Sequence, residues 1–247
     1  MHWPSLVAGA FSLSLAAFAA AAAEPELTIL FHVRPPYSEL GAPAGVKGLL
    51  VAPVVRAMDQ AQISAHWIEM PPARQTEEIR RAHEPVCGLG WFKRPEREDF
   101  AFFVGPIYED RPSVVVARKD DPRFKPPATL QQIFSDPGAK LIIKTGYSYG
   151  PVIDAWLQRQ RPDTAESAGT NEAILNMIAN NRRDYTIMAA EEADYLLARN
   201  APLGFALHAV ELSDAPQGEH RYLMCSKSTP ADTIAALNAA LTDPANW

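Results

Sequence analysis

The chain has 247 residues, 47% of them hydrophobic and 21% charged. This is an ordinary globular composition with enough apolar material for one large core or two smaller ones. A net charge of −6 gives no cationic footprint for nucleic acid, and 22 prolines divide the chain into elements too short for a long-helix architecture. Residues 1–23 contain no Lys, Arg, Asp or Glu, and an alanine-rich run from Leu6 ends in Ala21-Ala22-Ala23 before Glu24. That pattern predicts a secretory signal peptide over residues 1–23, cleaved near Ala23. The alternative is an uncleaved anchor, because the run is about long enough to span a bilayer. Two cysteines, Cys87 and Cys225, fit an exported chain with one disulfide, or else two buried thiols.

Glu26 to Val33 is a strand candidate ending at Arg34-Pro35-Pro36-Tyr37, where two prolines impose an extended turn. Gly45 and Gly48 lead into a helical pattern over Leu49 to Ala61, with Leu50, Val54, Val55 and Met58 on one side. Ser64 to Met70 is a second strand candidate, followed by a charged helix through Arg81. From Cys87, a short apolar run containing Gly88 and Gly90 breaks into a basic turn with Lys93, Arg94 and Arg97. A new apolar run then extends from Phe100 to Val104, closed by Gly105-Pro106. An apolar run that ends in a glycine-containing cationic turn suits a strand end at a ligand crevice, where arginine grips a carboxylate through two parallel hydrogen bonds. A solvated basic loop between two strands accounts for the same spacing.

This stretch resembles the segment of the type II periplasmic solute-binding proteins, amino-acid-binding family, that reads roughly Gly-x-Thr-x-Thr-x-Glu-Arg and then Phe-Ser-x-Pro-Tyr. Gly90, Glu96, Arg97, Phe103, Pro106 and Tyr108 stand at or within one residue of the matching places. Phe92 and Arg94 replace the threonines, and Ile107 separates Pro106 from Tyr108. The resemblance implies an α/β fold of two lobes joined by two crossover strands. Lobe one would comprise 24–112 plus 221–247, and lobe two 113–220. It implies that Arg97 holds the ligand's carboxylate, with Gly90 and Trp91 at the same strand end as further contacts. It makes Tyr37 a stacking platform and Arg34 a second cation, unless that turn is an ordinary β-to-α connection. Arg74, just past a strand end, is either a ligand contact or a helix-surface arginine near Glu77 and Glu78. Cys87 and Cys225 would both lie on lobe-one strands, which implies their pairing.

Further along, Ser113 to Arg118 is a β-branched strand. In the resembled fold it is the first crossover. Thr129 caps a short helix carrying Leu130, Ile133 and Phe134. The strand Lys140 to Lys144 breaks at Thr145-Gly146-Tyr147-Ser148-Tyr149-Gly150, with Pro151 placed for a first helical turn. Such a loop either offers N–H groups to an anion or merely caps its helix. By resemblance it meets the ligand carboxylate through Thr145, Gly146 and Ser148, with Tyr147 as a wall. Thr170 caps another helix, and Tyr185 to Ala189 is a strand. Many amino-acid binders of the family carry an aspartate at the place of Ala189. Here Glu191 could substitute, or Glu191 and Glu192 simply form an acidic first helical turn. Ala206 to Leu212 and Arg221 to Ser226 are the remaining strands, the latter resembling the second crossover. A last helix carries Ile234, Leu237 and Leu241.

No Gly-x-Ser-x-Gly elbow or His-Glu-x-x-His motif occurs, and the six histidines lack metal-ligand spacing. The expectation is therefore a monomeric periplasmic binding protein without cofactor, metal or catalytic residues. It would close on a small anionic or zwitterionic, amino-acid-like solute and present it to an inner-membrane transporter or sensor. The alternatives are a periplasmic enzyme resembling the prephenate or arogenate dehydratases, with Glu96, Glu191 or Glu192 as acids, and an accessory subunit that binds a partner protein.

Overall fold

A computed structural model describes residues 26–41 and 45–242. The expected signal peptide and the last five residues lie outside them. In chain order the first part contains β1 (Glu26–Phe31), β2 (Glu39–Gly41), β3 (Gly45–Lys47), α1 (Val51–Ala61), β4 (Ser64–Glu69), α2 (Pro72–Arg81), β5 (Val86–Phe92), α3 (Pro95–Glu98) and β6 (Ala101–Glu109). The middle part contains β7 (Ser113–Arg118), a 3-10 turn (Pro122–Phe124), α4 (Leu130–Ser135), β8 (Lys140–Lys144), α5 (Pro151–Gln160), β9 (Asp163–Ser167), α6 (Asn171–Ala179), β10 (Tyr185–Ala189), α7 (Ala190–Arg199), α8 (Ala201–Ala206) and β11 (Leu207–Val210). β12 (His220–Ser226) and α9 (Ala231–Thr242) close the fold.

Two five-stranded sheets result, β4-β1-β5-β12-β6 and β11-β7-β10-β8-β9, with β2 and β3 forming a small ribbon. In the first sheet β1 runs parallel to β4 and β5, and β12 lies antiparallel between β5 and β6. Helices cover both faces of each sheet, as buried apolar strands require. Val54 and Met58 of α1 and Leu237 and Leu241 of α9 pack on one face of the first sheet; Ile79 of α2 packs on the other. Leu130 and Ile153, from α4 and α5, cover one face of the second sheet; Ile174 and Ala193, from α6 and α7, cover its opposite face.

The chain passes between the sheets twice, at Asp110–Pro112 and at residues 211–219. The two passages touch: the Asp110 N–H donates to the Glu219 carbonyl at 3.1 Å. A Cβ on Gly218 would stand 1.6 Å from the Asp110 carbonyl oxygen, so this backbone-on-backbone approach admits only glycine. Cys87 and Cys225 face each other across β5 and β12 and form a disulfide, as the resemblance implied.

The structure differs from the sequence reading in several elements. The apolar run that was expected to close at Gly105-Pro106 continues as β6 to Glu109. Proline removes a ladder donor, but β6 is an edge strand and its pairing with β12 is irregular there, so the loss is tolerated. The strand expected over Ala206 to Leu212 is shorter, because α8 occupies residues 201–206 first. The basic turn contains a single helical turn, α3.

Candidate functional site

The ends of β1 and β5 face the second sheet across a crevice, the place where open α/β sheets bind ligands. On the first side, β5 is bulged. Tyr222 pairs with Trp91 and Leu223 with Leu89, leaving Gly90 as the extra residue at φ +79°. A left-handed glycine is what such a bulge requires, and the bulge re-aims Trp91 and Phe92 at the strand end. The Gly90 carbonyl accepts from Arg221 Nη1 at 3.1 Å.

Arg97, on α3, lines the crevice together with Trp91, Phe92, His32 and Gly146. Its Nη1 donates to the Phe92 carbonyl at 3.0 Å, and its guanidinium carbon lies 4.9 Å from the centre of the Trp91 ring. It makes no carboxylate ion pair among the described residues. Burial, and then the neighbouring Arg94 charge, lower its pKa, outweighing the opposing charges of Glu96 and Asp154.

The other crevice arginines named here are paired with carboxylates. Arg34 binds Glu192 through Nε at 3.0 Å and Nη2 at 2.8 Å, and its guanidinium lies over the Tyr37 and Tyr147 rings. Arg221 grips Asp110 with Nε at 2.7 Å and Nη2 at 2.6 Å, both residues being buried. Arg94, also buried, donates to Ser148 Oγ at 3.2 and 3.3 Å and to Glu219 Oε2 at 3.4 Å. Glu192 also accepts from the Asn171 amide.

Several of these contacts join the two sides. Glu191 is held by the Tyr37 and Tyr108 hydroxyls at 3.3 and 3.1 Å and by the Arg111 N–H at 2.8 Å. His32 Nε2 meets the Tyr147 hydroxyl at 2.8 Å. Burial, followed by the charges of Arg34, Lys144 and Arg221, lowers the His32 pKa to about 3, so this histidine is neutral at pH 7. Tyr195 on α7 donates to Glu39 at 3.1 Å.

The loop 145–150 uses its donors internally. Asp154, in the first turn of α5, accepts from the Tyr149 N–H at 2.8 Å and from the Ser148 hydroxyl. The Thr145 N–H pairs with the Ser167 carbonyl. These bonds hold the loop ahead of the helix, while the Gly150 N-cap itself has no side-chain cap. Gly146 (φ +77°) is open around its missing Cβ and faces the Arg97 compartment.

The structure thus brings Arg97, Arg34, Gly90, Trp91, Gly146, Tyr147 and Ser148 to the crevice. Tyr37 is fully buried beneath Arg34 and Arg221, with its hydroxyl on Asp110 and Glu191. Arg74 and Thr145 lie on exposed surface outside the crevice walls. Glu191 is committed to its three internal donors. Sequence reasoning missed His32, Asp110, Lys144, Asn171 and Arg221. Arg221 did carry a signal, a lone arginine heading an apolar strand. Asp110 carried none, because its partner lies 111 residues away.

The sequence matches no protein-family model and no curated protein. Solved structures do resemble it. An ancestral arginine-binding protein bound to arginine aligns with a TM-score of 0.70 at 14% identity, over 87% of this chain and 90% of that one. GshT, from a study of glutathione import through the cystine importer TcyBC of Streptococcus mutans, aligns at 0.71 and 12%, over 88% of each chain. The Bordetella pertussis BvgS VFT2 domain aligns at 0.70 and 17%, over 90% and 88%. These likenesses concern the fold. The chain has the two-lobed type II periplasmic binding, or Venus flytrap, architecture.

Proposed function

We propose that this protein is an extracytoplasmic solute-binding protein. Its lobes close on a small carboxylate-bearing solute anchored by Arg97, and a membrane transporter or sensor reads the closed form. The observation that carries this reading is the state of Arg97. It is a half-buried guanidinium at a strand end in an interlobe crevice, with aromatic walls and no carboxylate ion pair among the described residues, whereas Arg34, Arg94 and Arg221 around it are all paired. Guanidinium presents a planar fork that matches a carboxylate. Gly146 lies on the opposite wall, where closure brings the second lobe onto the solute. A disulfide and this fold fit an extracellular or periplasmic location, for which the expected signal peptide over residues 1–23 would account.

The reading is tested by calorimetric titration of wild type, Arg97→Ala and Arg97→Lys with a series of aliphatic and aromatic monocarboxylates. Truncating one partner of a buried charged contact costs about 2–5 kcal/mol, so Arg97→Ala should bind at least about thirtyfold more weakly. Arg97→Lys should also lose affinity, because a point charge cannot reproduce the fork. Undiminished affinity in both variants would place the anchor elsewhere.

A further inference from the structure

Among the described residues lining the crevice, Arg97 and Lys144 lack a carboxylate partner, whereas each lining carboxylate already has a cationic one. The compartment around Arg97 is walled by His32, Leu89, Trp91, Phe92, Gly146 and Tyr147, together with arginines, and has no acidic side chain on its walls. The adjoining compartment does contain carboxylates, Asp110, Glu192 and Glu219. Each already has a cationic partner. Asp110 takes both donors of the Arg221 fork and the Tyr37 hydroxyl at 3.1 Å. Glu192 takes the Arg34 fork and the Asn171 amide. Glu219 takes Arg94. Glu191 is buried behind them on Tyr37, Tyr108 and Arg111.

Charge by charge, Arg34 cancels Glu192, Arg221 cancels Asp110, and Arg94 cancels Glu219. Arg97 and Lys144 remain; the carboxylates nearest Arg97 in effect are Glu96 and Asp154, of which Asp154 accepts from the Ser148 hydroxyl and the Tyr149 N–H. The Lys144 ammonium donates to the Gly169 carbonyl and has no carboxylate partner among the described residues. Burial lowers its pKa, with Glu192 opposing the shift and Arg34 adding to it. His32 adds no negative charge.

We infer that the solute is an organic acid without an ammonium group: a carboxylate on an apolar or aromatic body. The inference rests on the solute-binding reading of this same crevice. An ammonium entering it loses its water and needs acceptors in return. To supply a carboxylate, the protein would have to open a bidentate pair such as Arg34–Glu192 and strand a buried arginine. The ammonium would also stand among guanidiniums of like charge. A carboxylate meets the opposite situation, a cation lacking its partner. Trp91, Phe92 and Tyr147 give the crevice aromatic walls for an apolar body, each ring also being approached by a guanidinium. This differs from the amino-acid-like ligand that the sequence resemblance implied.

The test uses two matched sets of compounds on the full protein: the standard amino acids, and their deaminated counterparts with hydrogen in place of the ammonium. Binding is measured by calorimetry, compound by compound. At least one deaminated acid should bind, with its amino acid at least about tenfold weaker, and Arg97→Ala should abolish the preferred acid's binding. An amino acid that binds as tightly as its deaminated counterpart would overturn the inference while leaving a solute-binding protein. Binding by neither set would overturn both.

Discussion

His32 ties protonation to the contact between the lobes. Its ring sits where β1 ends, hydrogen-bonded to Tyr147 of the other lobe and faced by Arg34, Lys144 and Arg221. Its folded pKa of about 3 lies below the ordinary histidine value of 6.5, so between these values the unfolded chain binds more protons than the native one. Stability therefore rises with pH through that window; His32's contribution is complete above 6.5 and is lost as pH falls toward 3. The slope approaches about 1.4 kcal/mol per pH unit. Urea unfolding between pH 6.5 and 5 should show wild type losing stability faster than His32→Gln, which keeps a hydrogen-bonding group beside Tyr147. His208 shifts in the same direction, so the comparison with the variant isolates His32. Parallel pH dependences would refute the assignment. At this scale the sequence pointed to Arg97 as a crevice cation, through the basic turn after a glycine-bearing apolar run together with the family resemblance. It concealed the Asp110–Arg221 and Arg34–Glu192 pairs, which are created only by folding.

Among the elements, β12 joins distant parts of the chain. It returns from the second lobe, inserts between β5 and β6, supplies Arg221 to the crevice and carries half of the disulfide. Cys87 and Cys225 are 138 residues apart, and the loop they close encloses the whole second sheet. Constraining so long a loop in the unfolded state stabilises by about 5 kcal/mol in the chain-entropy model. The double variant Cys87→Ala/Cys225→Ala should therefore lose several kcal/mol in urea unfolding. A loss under about 1 kcal/mol would mean that the bridge adds little beyond the packing around it. The buried strands were legible as apolar or β-branched runs, β7, β8 and β10 above all. β9, Asp163–Ser167, was not: as the edge strand of its sheet it needs only backbone pairing with β8 and carries mostly polar side chains. The β2–β3 ribbon and α8 were hidden for a similar reason, being too short to show a period.

At the scale of the whole molecule, two covered sheets meet through ion pairs and hydrogen bonds, where an apolar interface would have fused them into one core. Arg34–Glu192, His32–Tyr147, Tyr37–Glu191 and Glu39–Tyr195 all join the two sides. Polar contacts of this kind exchange readily with water, which suits lobes that open and close around a solute. The two-lobed organisation was implied by the resemblance to the type II binding proteins, whereas the pairing of charges across the crevice was not legible. The central claim is that the crevice holds a small acid through Arg97. It is tested most directly by native mass spectrometry of wild type and Arg97→Ala, both isolated without unfolding from the cells that naturally make the protein. Wild type should carry a small added mass that is released on denaturation and identifies as a carboxylic acid, and Arg97→Ala should lack it. The same added mass on both proteins, or a retained molecule without a carboxylate, would contradict the account.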